Sequence, residues 1–248
     1  MSDRGRVRQT NEDSYVSDAS LNLFAIADGM GGHRAGEVAS QMAIEAIVAF
    51  IRVSVSDNDL TWPYGIDTSL SLDGNRLRTA ICLANRRVFR AAESREDYAG
   101  MGTTVVGLLA NGANVAIGSV GDSRLYLLSG GTLQQVTIDD SWATRILAHD
   151  ASLGPDDIAN HPMRNVLTNV VGARDSVDVR VIERTLSDGD LLLLCTDGLH
   201  GVLEPSALQR ILEEVSDVGD APRRLVDAAI DHGTRDNVTA LVLHYQDD

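Results

Sequence analysis

Between residues 103 and 136 the chain is cut into four short β-rich runs, 103–110, 115–120, 124–128 and 133–136. The cuts fall at Asn111-Gly112, Gly121-Asp122 and Gly130-Gly131. Such dipeptides supply the positive φ that tight hairpin turns require. Connections this short hold no crossover helix, which a parallel strand pair would need. The stretch is predicted to be an antiparallel meander, not a βαβ repeat.

Helical patterns flank the meander. Apolar residues at 39, 42, 43, 46, 47 and 50 make one stripe within 37–52, and Leu77, Ala80, Ile81, Ala84 and Val88 make another within 77–92. The segment 57–71, with Pro63 and Gly65, reads as a loop. The run 21–27 is a short buried strand that ends in Asp28-Gly29. Beyond the meander, 139–165 is polar with a weak helical stretch at 142–148, 177–186 alternates like a half-exposed strand, and 191–195 is wholly apolar. Helices at 207–215 and 222–232 and a strand at 238–245 complete the chain. Helices, then strands, then helices, then a strand predict an α+β fold with helices packed on antiparallel sheets. No linker or repeat interrupts it, so residues 1–248 are expected to form a single domain.

Hydrophobic residues make up 44%, enough for a globular core. The net charge of −15 disfavours nucleic acid and anionic lipid as partners. It signals either plain solubility or cation binding. Cys82 and Cys195 fit no C-x-x-C spacing, so neither zinc nor a redox pair is expected. Met1-Ser2-Asp3-Arg4 is not a signal peptide, and no run of about 18 apolar residues suggests a membrane span. A cytoplasmic protein without a membrane partner is expected.

Acidic residues recur in one kind of place. Glu12-Asp13 precedes a β-like stretch, Asp28-Gly29 and Asp197-Gly198 end apolar strands, and Asp236-Asn237 opens the last one. Taken singly, Asp-Gly is a common turn dipeptide. Strand ends on a shared scaffold lie close in space, however, and converging carboxylates repel one another unless a cation neutralises them. Oxygen ligands of this kind suit Mg²⁺ or Mn²⁺. In the rarer run Asp28-Gly29-Met30-Gly31-Gly32-His33, glycine leaves the backbone exposed beside Asp28.

Six segments in order carry a resemblance that covers nearly the whole chain: Arg8-Gln9-Thr10-Asn11-Glu12-Asp13, Ala27-Asp28-Gly29-Met30-Gly31-Gly32-His33, Gly102-Thr103-Thr104, Gly121-Asp122-Ser123-Arg124, Cys195-Thr196-Asp197-Gly198-Leu199 and Asp236-Asn237-Val238-Thr239. The chain resembles the metal-dependent serine/threonine protein phosphatases, type 2C or PPM, of the bacterial kind. The resemblance implies a four-layer α/β/β/α sandwich with two Mn²⁺ or Mg²⁺ ions in the cleft at one end. Asp28 is implied to bridge both ions, Asp197 and Asp236 to hold the first, and the Gly29 carbonyl to hold the second. Either Glu12 or Asp13 completes the second site, Asp13 being preferred. Asp122 with Asp197 is implied to hold a third, weaker ion.

Arg8, five residues before the metal-ligand position, can grip two phosphate oxygens in a bidentate way, although a lone Arg is usually a surface charge. The ions would lower the pKa of water so that hydroxide attacks phosphorus in line, with no side-chain nucleophile. His33 is the candidate to protonate the leaving oxygen, and a histidine merely held in the loop is the alternative. His149 and His161 read as surface residues. The implied substrates are phosphoserine and phosphothreonine proteins made by a Ser/Thr kinase, and the implied state is a monomer. A regulatory module on the same fold would be marked by lost ligands, and none is lost here. A small-molecule phosphoesterase finds no base-stacking aromatic cluster to support it. Two segments depart from the family pattern. The leading strand before Ser2-Asp3-Arg4-Gly5 is short, and Asp139-Asp140-Ser141 stands where the family has a histidine after an aspartate.

Overall fold

The computed structural model describes residues 1–248 except His33, residues 58–60, residues 150–160, Asn165, Ser216 and Asp248, and except the side chains of residues 147–149. Among the described residues there are eleven strands: β1 (Ser2–Asp3), β2 (Asp13–Asp18), β3 (Leu23–Met30), β4 (Gly102–Thr103), β5 (Val105–Asn111), β6 (Asn114–Val120), β7 (Arg124–Ser129), β8 (Thr132–Gln135), β9 (Arg180–Thr185), β10 (Leu191–Cys195) and β11 (Val238–His244). The helices are α1 (Ala35–Ser56), α2 (Leu72–Ser94), α3 (Trp142–His149), α4 (Asp197–His200), α5 (Pro205–Glu214) and α6 (Ala221–Asp231).

The strands form two antiparallel sheets. One runs β2-β3-β5-β6-β9, with β4 paired to β3, and the other runs β1-β11-β10-β7-β8. Strand alternation sorts the side chains into three apolar layers. On β3, Leu23, Ala25 and Ala27 point at α1 and α2, while Phe24 and Ile26 point between the sheets. On β10, Leu192 and Leu194 point between the sheets, and Leu193 and Cys195 point at α5 and α6. This period-2 sorting yields helices, sheet, sheet, helices, which is the expected four-layer α+β sandwich. Gly118 lets α2 lie close against β6, since a Cβ there would stand 2.8 Å from Ile81 Cδ1.

The leading edge strand is short, as expected: β1 has two residues, pairing Ser2 with Thr239 and Asp3 with Val238. By length and composition alone α1 is apolar enough to cross a bilayer, because its few polar residues are diluted over 22 positions. Its stripe is spent inside the sandwich, where Ala39, Ala43, Ile47 and Ile51 are fully buried. Burying each of the two isoleucines contributes on the order of 1.5–3 kcal/mol.

Candidate metal centre

The inter-sheet layer is apolar along most of its length and turns polar at one end. Asp28 follows Phe24 and Ile26 on the same face of β3, and Asp13 sits directly opposite it on β2. Across the gap, Thr196 continues the Leu192, Leu194 series, and Thr239 precedes Leu241 on β11. The two threonine hydroxyls donate to Asp13 Oδ2 at 3.0 and 2.6 Å. Asp13 is thus a buried tie between the sheets. Glu12, one residue earlier, lies at the mouth.

Each Asp-Gly is held by a close backbone approach that only glycine allows. A Cβ on Gly29 would stand 2.0 Å from the Gly36 carbonyl oxygen and 2.7 Å from that of Glu12. One on Gly198 would stand 1.9 Å from the Asn237 carbonyl oxygen, beside Asp236. The glycines therefore dock Asp28 against Glu12, and Asp197 against Asp236. The backbone of Asp28 is fixed further. Its carbonyl accepts from Thr103 Oγ1 at 2.8 Å and from Thr104 N at 2.9 Å, and its N–H donates to Thr104 Oγ1 at 3.1 Å. Asn237 accepts from Glu12 N–H at 2.8 Å and donates to the carbonyls of Arg4 and Thr10. Asn237, Thr196, Thr239 and Thr104 are positioning residues to which the sequence reading gave no role. Their signal was a hydroxyl or amide at the strand position next to, or in step with, each acid.

A cavity of about 430 Å³ opens at this end, lined by Arg8, Glu12, Asp28, Gly29, Asp122, Asp197 and Asp236 among others. Asp13 is not in its lining. Among the described residues no three acids or histidines are drawn into a closed ligand set. Asp236 Oδ2 is engaged by Arg8 at 2.7 Å, Asp13 faces its threonines, and Glu12 lies over Gly36. His33, the proposed proton donor, falls outside the described residues.

The electrostatics are those of a site short of positive charge. Burial, then Asp13, Asp197, Asp236 and Asp122, hold the Asp28 carboxyl well above the ordinary range. Asp13 is pushed up to about 7 by burial, against the pull of its threonine hydrogen bonds. Asp122 is pushed up to about 7 by burial and then by Asp197. Burial and then Asp236 raise Asp197, while a hydrogen bond from Asp28 pulls it back. Asp13 Oδ1 and Asp197 Oδ1 are buried with no hydrogen-bond partner. Orphaned carboxylate oxygens and carboxyls that cannot all ionise together fit a hard divalent cation.

The turn carrying Asp122 is clamped from two sides. Asp140 accepts from Gly121 N–H at 3.1 Å, in the segment where the family has its histidine. His200 Nε2 donates to the Asp122 carbonyl at 3.0 Å, and burial followed by Arg124 lowers the ring to about 4, keeping it neutral. Neighbouring Asp139 binds Arg124 through both carboxylate oxygens. His161, read as a surface residue, stacks on Trp142 with ring centroids 4.1 Å apart.

The family described as protein phosphatase 2C matches residues 4–231. The serine/threonine phosphatase Stp of Listeria welshimeri serovar 6b is 33% identical over 97% of this chain and 92% of its own length. The serine/threonine protein phosphatase PstP of Mycobacterium tuberculosis is 36% identical over 97% of this chain, which spans 43% of that longer protein. A crystal structure of PstP from Mycobacterium tuberculosis superposes with a TM-score of 0.84 at 33% identity, covering 100% of this chain and 97% of that one. The PstP catalytic domain in complex with two manganese ions gives 0.81 at 34% identity, covering 100% and 96%.

Proposed function

This chain belongs to the protein phosphatase 2C family and is a serine/threonine protein phosphatase, and we propose that the carboxylate-lined cavity at the open end of its sandwich is the catalytic centre. In this reading Asp28, Asp197 and Asp236 hold one divalent cation. Asp28, the Gly29 carbonyl and Glu12 hold another, and Asp122 with Asp197 offers a third position. Glu12 takes the place the sequence reading preferred for Asp13, because Glu12 lines the cavity and Asp13 is committed to two threonines. Mn²⁺ is the first ion to try, since a relative binds two of them. Cations bound there lower the pKa of water toward neutrality and offset phosphate charge.

The chain's own groups do the rest. Arg8 is exposed, and its pair with Asp236 is worth at most about 1 kcal/mol, so a phosphate dianion competes for it readily. Thr104, whose hydroxyl-bearing side chain lines the cavity, is spent on the Asp28 N–H and on Ser123, which supports direct attack by water without a phosphoenzyme. His33 remains the proposed donor to the leaving oxygen. The same reading takes residues 1–248 as one monomeric, cytoplasmic domain acting on phosphoserine and phosphothreonine proteins, the products of a Ser/Thr kinase. It assigns no nucleic-acid or membrane partner, and the net charge of −15 supports that.

The observation that carries this reading is the convergence, on one cavity, of carboxyls that cannot all ionise without a counter-ion. The test is hydrolysis of a phosphothreonine peptide with Mn²⁺ or Mg²⁺, by the wild type and by Asp28→Asn. Loss of turnover in EDTA and in Asp28→Asn, with a normally folded variant, is expected. Full turnover in either case would overturn the assignment.

A further inference from the structure

A second and larger cavity, of about 870 Å³, adjoins the carboxylate site, and Leu167 and Val170 line both. A side chain reacting in the first would have its own backbone crossing that shared ridge into the second. The walls of this groove are set by internal bonds. Asn169 donates to Asp140 Oδ2 at 2.8 Å and to the Asp178 carbonyl at 2.7 Å, and Arg180 donates to the Ile138 carbonyl at 2.9 Å. Arg180 also lies 3.7 Å from Asp140. Two further arginines line the groove, Arg145 and Arg174, and both are exposed. Among the described residues neither side chain has a hydrogen bond or an acidic partner. Asp178 is the one lining acid likewise without an ion pair among them. The unpaired charge of the groove is therefore two cations against one anion, in a chain whose net charge is −15.

Resting on the reading of the neighbouring cavity as the phosphatase centre, we propose that this groove binds the polypeptide flanking the phosphoresidue, and that Arg145 and Arg174 select substrates with acidic side chains there. Guanidinium groups with no partner among the described residues are open to charge-assisted hydrogen bonds with carboxylates, and a preformed groove lowers the cost of ordering the peptide. Exposed pairs are individually weak, so the selection is modest, about 3- to 10-fold in kcat/KM for two pairs, and it fades at high salt.

The test compares two phosphothreonine peptides that differ only in flanking Glu or Gln, with p-nitrophenyl phosphate as a substrate too small to reach the groove. The wild type is expected to prefer the Glu peptide. Arg145→Gln/Arg174→Gln should lose that preference while turning over p-nitrophenyl phosphate normally, and Arg145→Glu/Arg174→Glu should favour an Arg-flanked peptide. Equal kcat/KM for the two peptides in the wild type, or a preference that survives the double variant, overturns the proposal. A binding arm is independent of turnover: fluorescence anisotropy of the unphosphorylated Glu and Gln peptides, labelled with fluorescein. Tighter binding of the Glu peptide to the wild type alone supports the groove, and equal affinities sink it. If the wild type hydrolyses none of the substrates with Mn²⁺, the phosphatase reading fails, and this binding arm still decides the groove.

Discussion

Asp122→Asn should stabilise the metal-free protein, and by an amount that grows with pH. Burial and Asp197 push the Asp122 carboxyl from an ordinary 3.8 up to about 7. Below the ordinary value both folded and unfolded chains hold the proton, and the site costs nothing. As pH rises, the unfolded chain releases its proton first, so folding loses stability until the pH passes the folded value. That interval is roughly three pH units at about 1.4 kcal/mol each, or about 4 kcal/mol in all. At pH 5 about 1.5 kcal/mol of this has been lost, and at pH 8 all of it. An asparagine does not titrate and escapes the loss. For a chain of this size 1 kcal/mol shifts Tm by roughly 2–4 °C. The Tm advantage of Asp122→Asn should therefore be about 5–10 °C larger at pH 8 than at pH 5. Calorimetric melts in EDTA at the two pH values measure it, and saturating Mn²⁺ should narrow the gap by neutralising the carboxylates. A gap that does not depend on pH, or a variant less stable than wild type at pH 8, would refute the account of a site held together against its own charge.

Three further outcomes follow from the geometry. Arg8→Ala should raise KM for a phosphopeptide about tenfold or more and leave metal affinity, read by calorimetry, no weaker, because it also frees Asp236. Unchanged kinetics would make Arg8 a surface charge. Gly198→Ala places a Cβ within 1.9 Å of a backbone oxygen, so the metal-free Tm should fall by the equivalent of at least about 2 kcal/mol and Mn²⁺ binding should weaken; a normal melt would contradict the packing argument. Glu12→Gln should cut turnover more than a hundredfold with little change in metal-free Tm. Asp13→Ala should instead lower that Tm below about pH 4, before the raised Asp13 carboxyl begins to cost stability, since the buried Thr196 hydroxyl loses its acceptor at about 1–3 kcal/mol while Thr239 keeps only Ser2 Oγ. The reverse pattern would return the ligand role to Asp13.

Much of the architecture was legible in local pattern. The glycine-bearing cuts at 111–112, 121–122 and 130–131 mark the turns between β5, β6, β7 and β8, and the two apolar stripes are α1 and α2. Strand 177–186 was overcalled at its start. Asp178 turns its backbone carbonyl and N–H toward Asn169 rather than to a neighbouring strand, so β9 begins at Arg180. The acids lining the cavity were legible as motifs, but which of two adjacent acids faces the cavity was not. Glu12 and Asp13 are adjacent in sequence and differ only in what alternation does with them. Asp13 falls in register opposite Asp28 and is swallowed between the sheets, while Glu12 stays at the mouth. The supporting shell was hidden for the same reason. Thr196 and Thr239 look like ordinary β-branched strand residues until two strands are set face to face with a third across the gap. The apolar reading of α1 also needed the fold, because composition alone does not say which surface a helix is buried against.

The seam between the two sheets has a mechanical consequence. Asp28 and Glu12 belong to one slab, Asp197 and Asp236 to the other, and among the described residues no strand is shared by both. At this edge the slabs are joined by the buried Asp13 carboxyl with its two hydroxyls, by the Asn237 amide bound to Glu12 N–H and the Thr10 carbonyl, and by the Arg8–Asp236 pair. An ion held by the residues proposed above would be gripped from both sides and act there as a rivet, so that loading the protein would tighten the spacing of its halves as well as arm its chemistry. Hydrogen exchange should slow at the facing ends of β3, β10 and β11 when the rivet is in place, and leave the far end of the sandwich, where leucines already fill the gap, as it was.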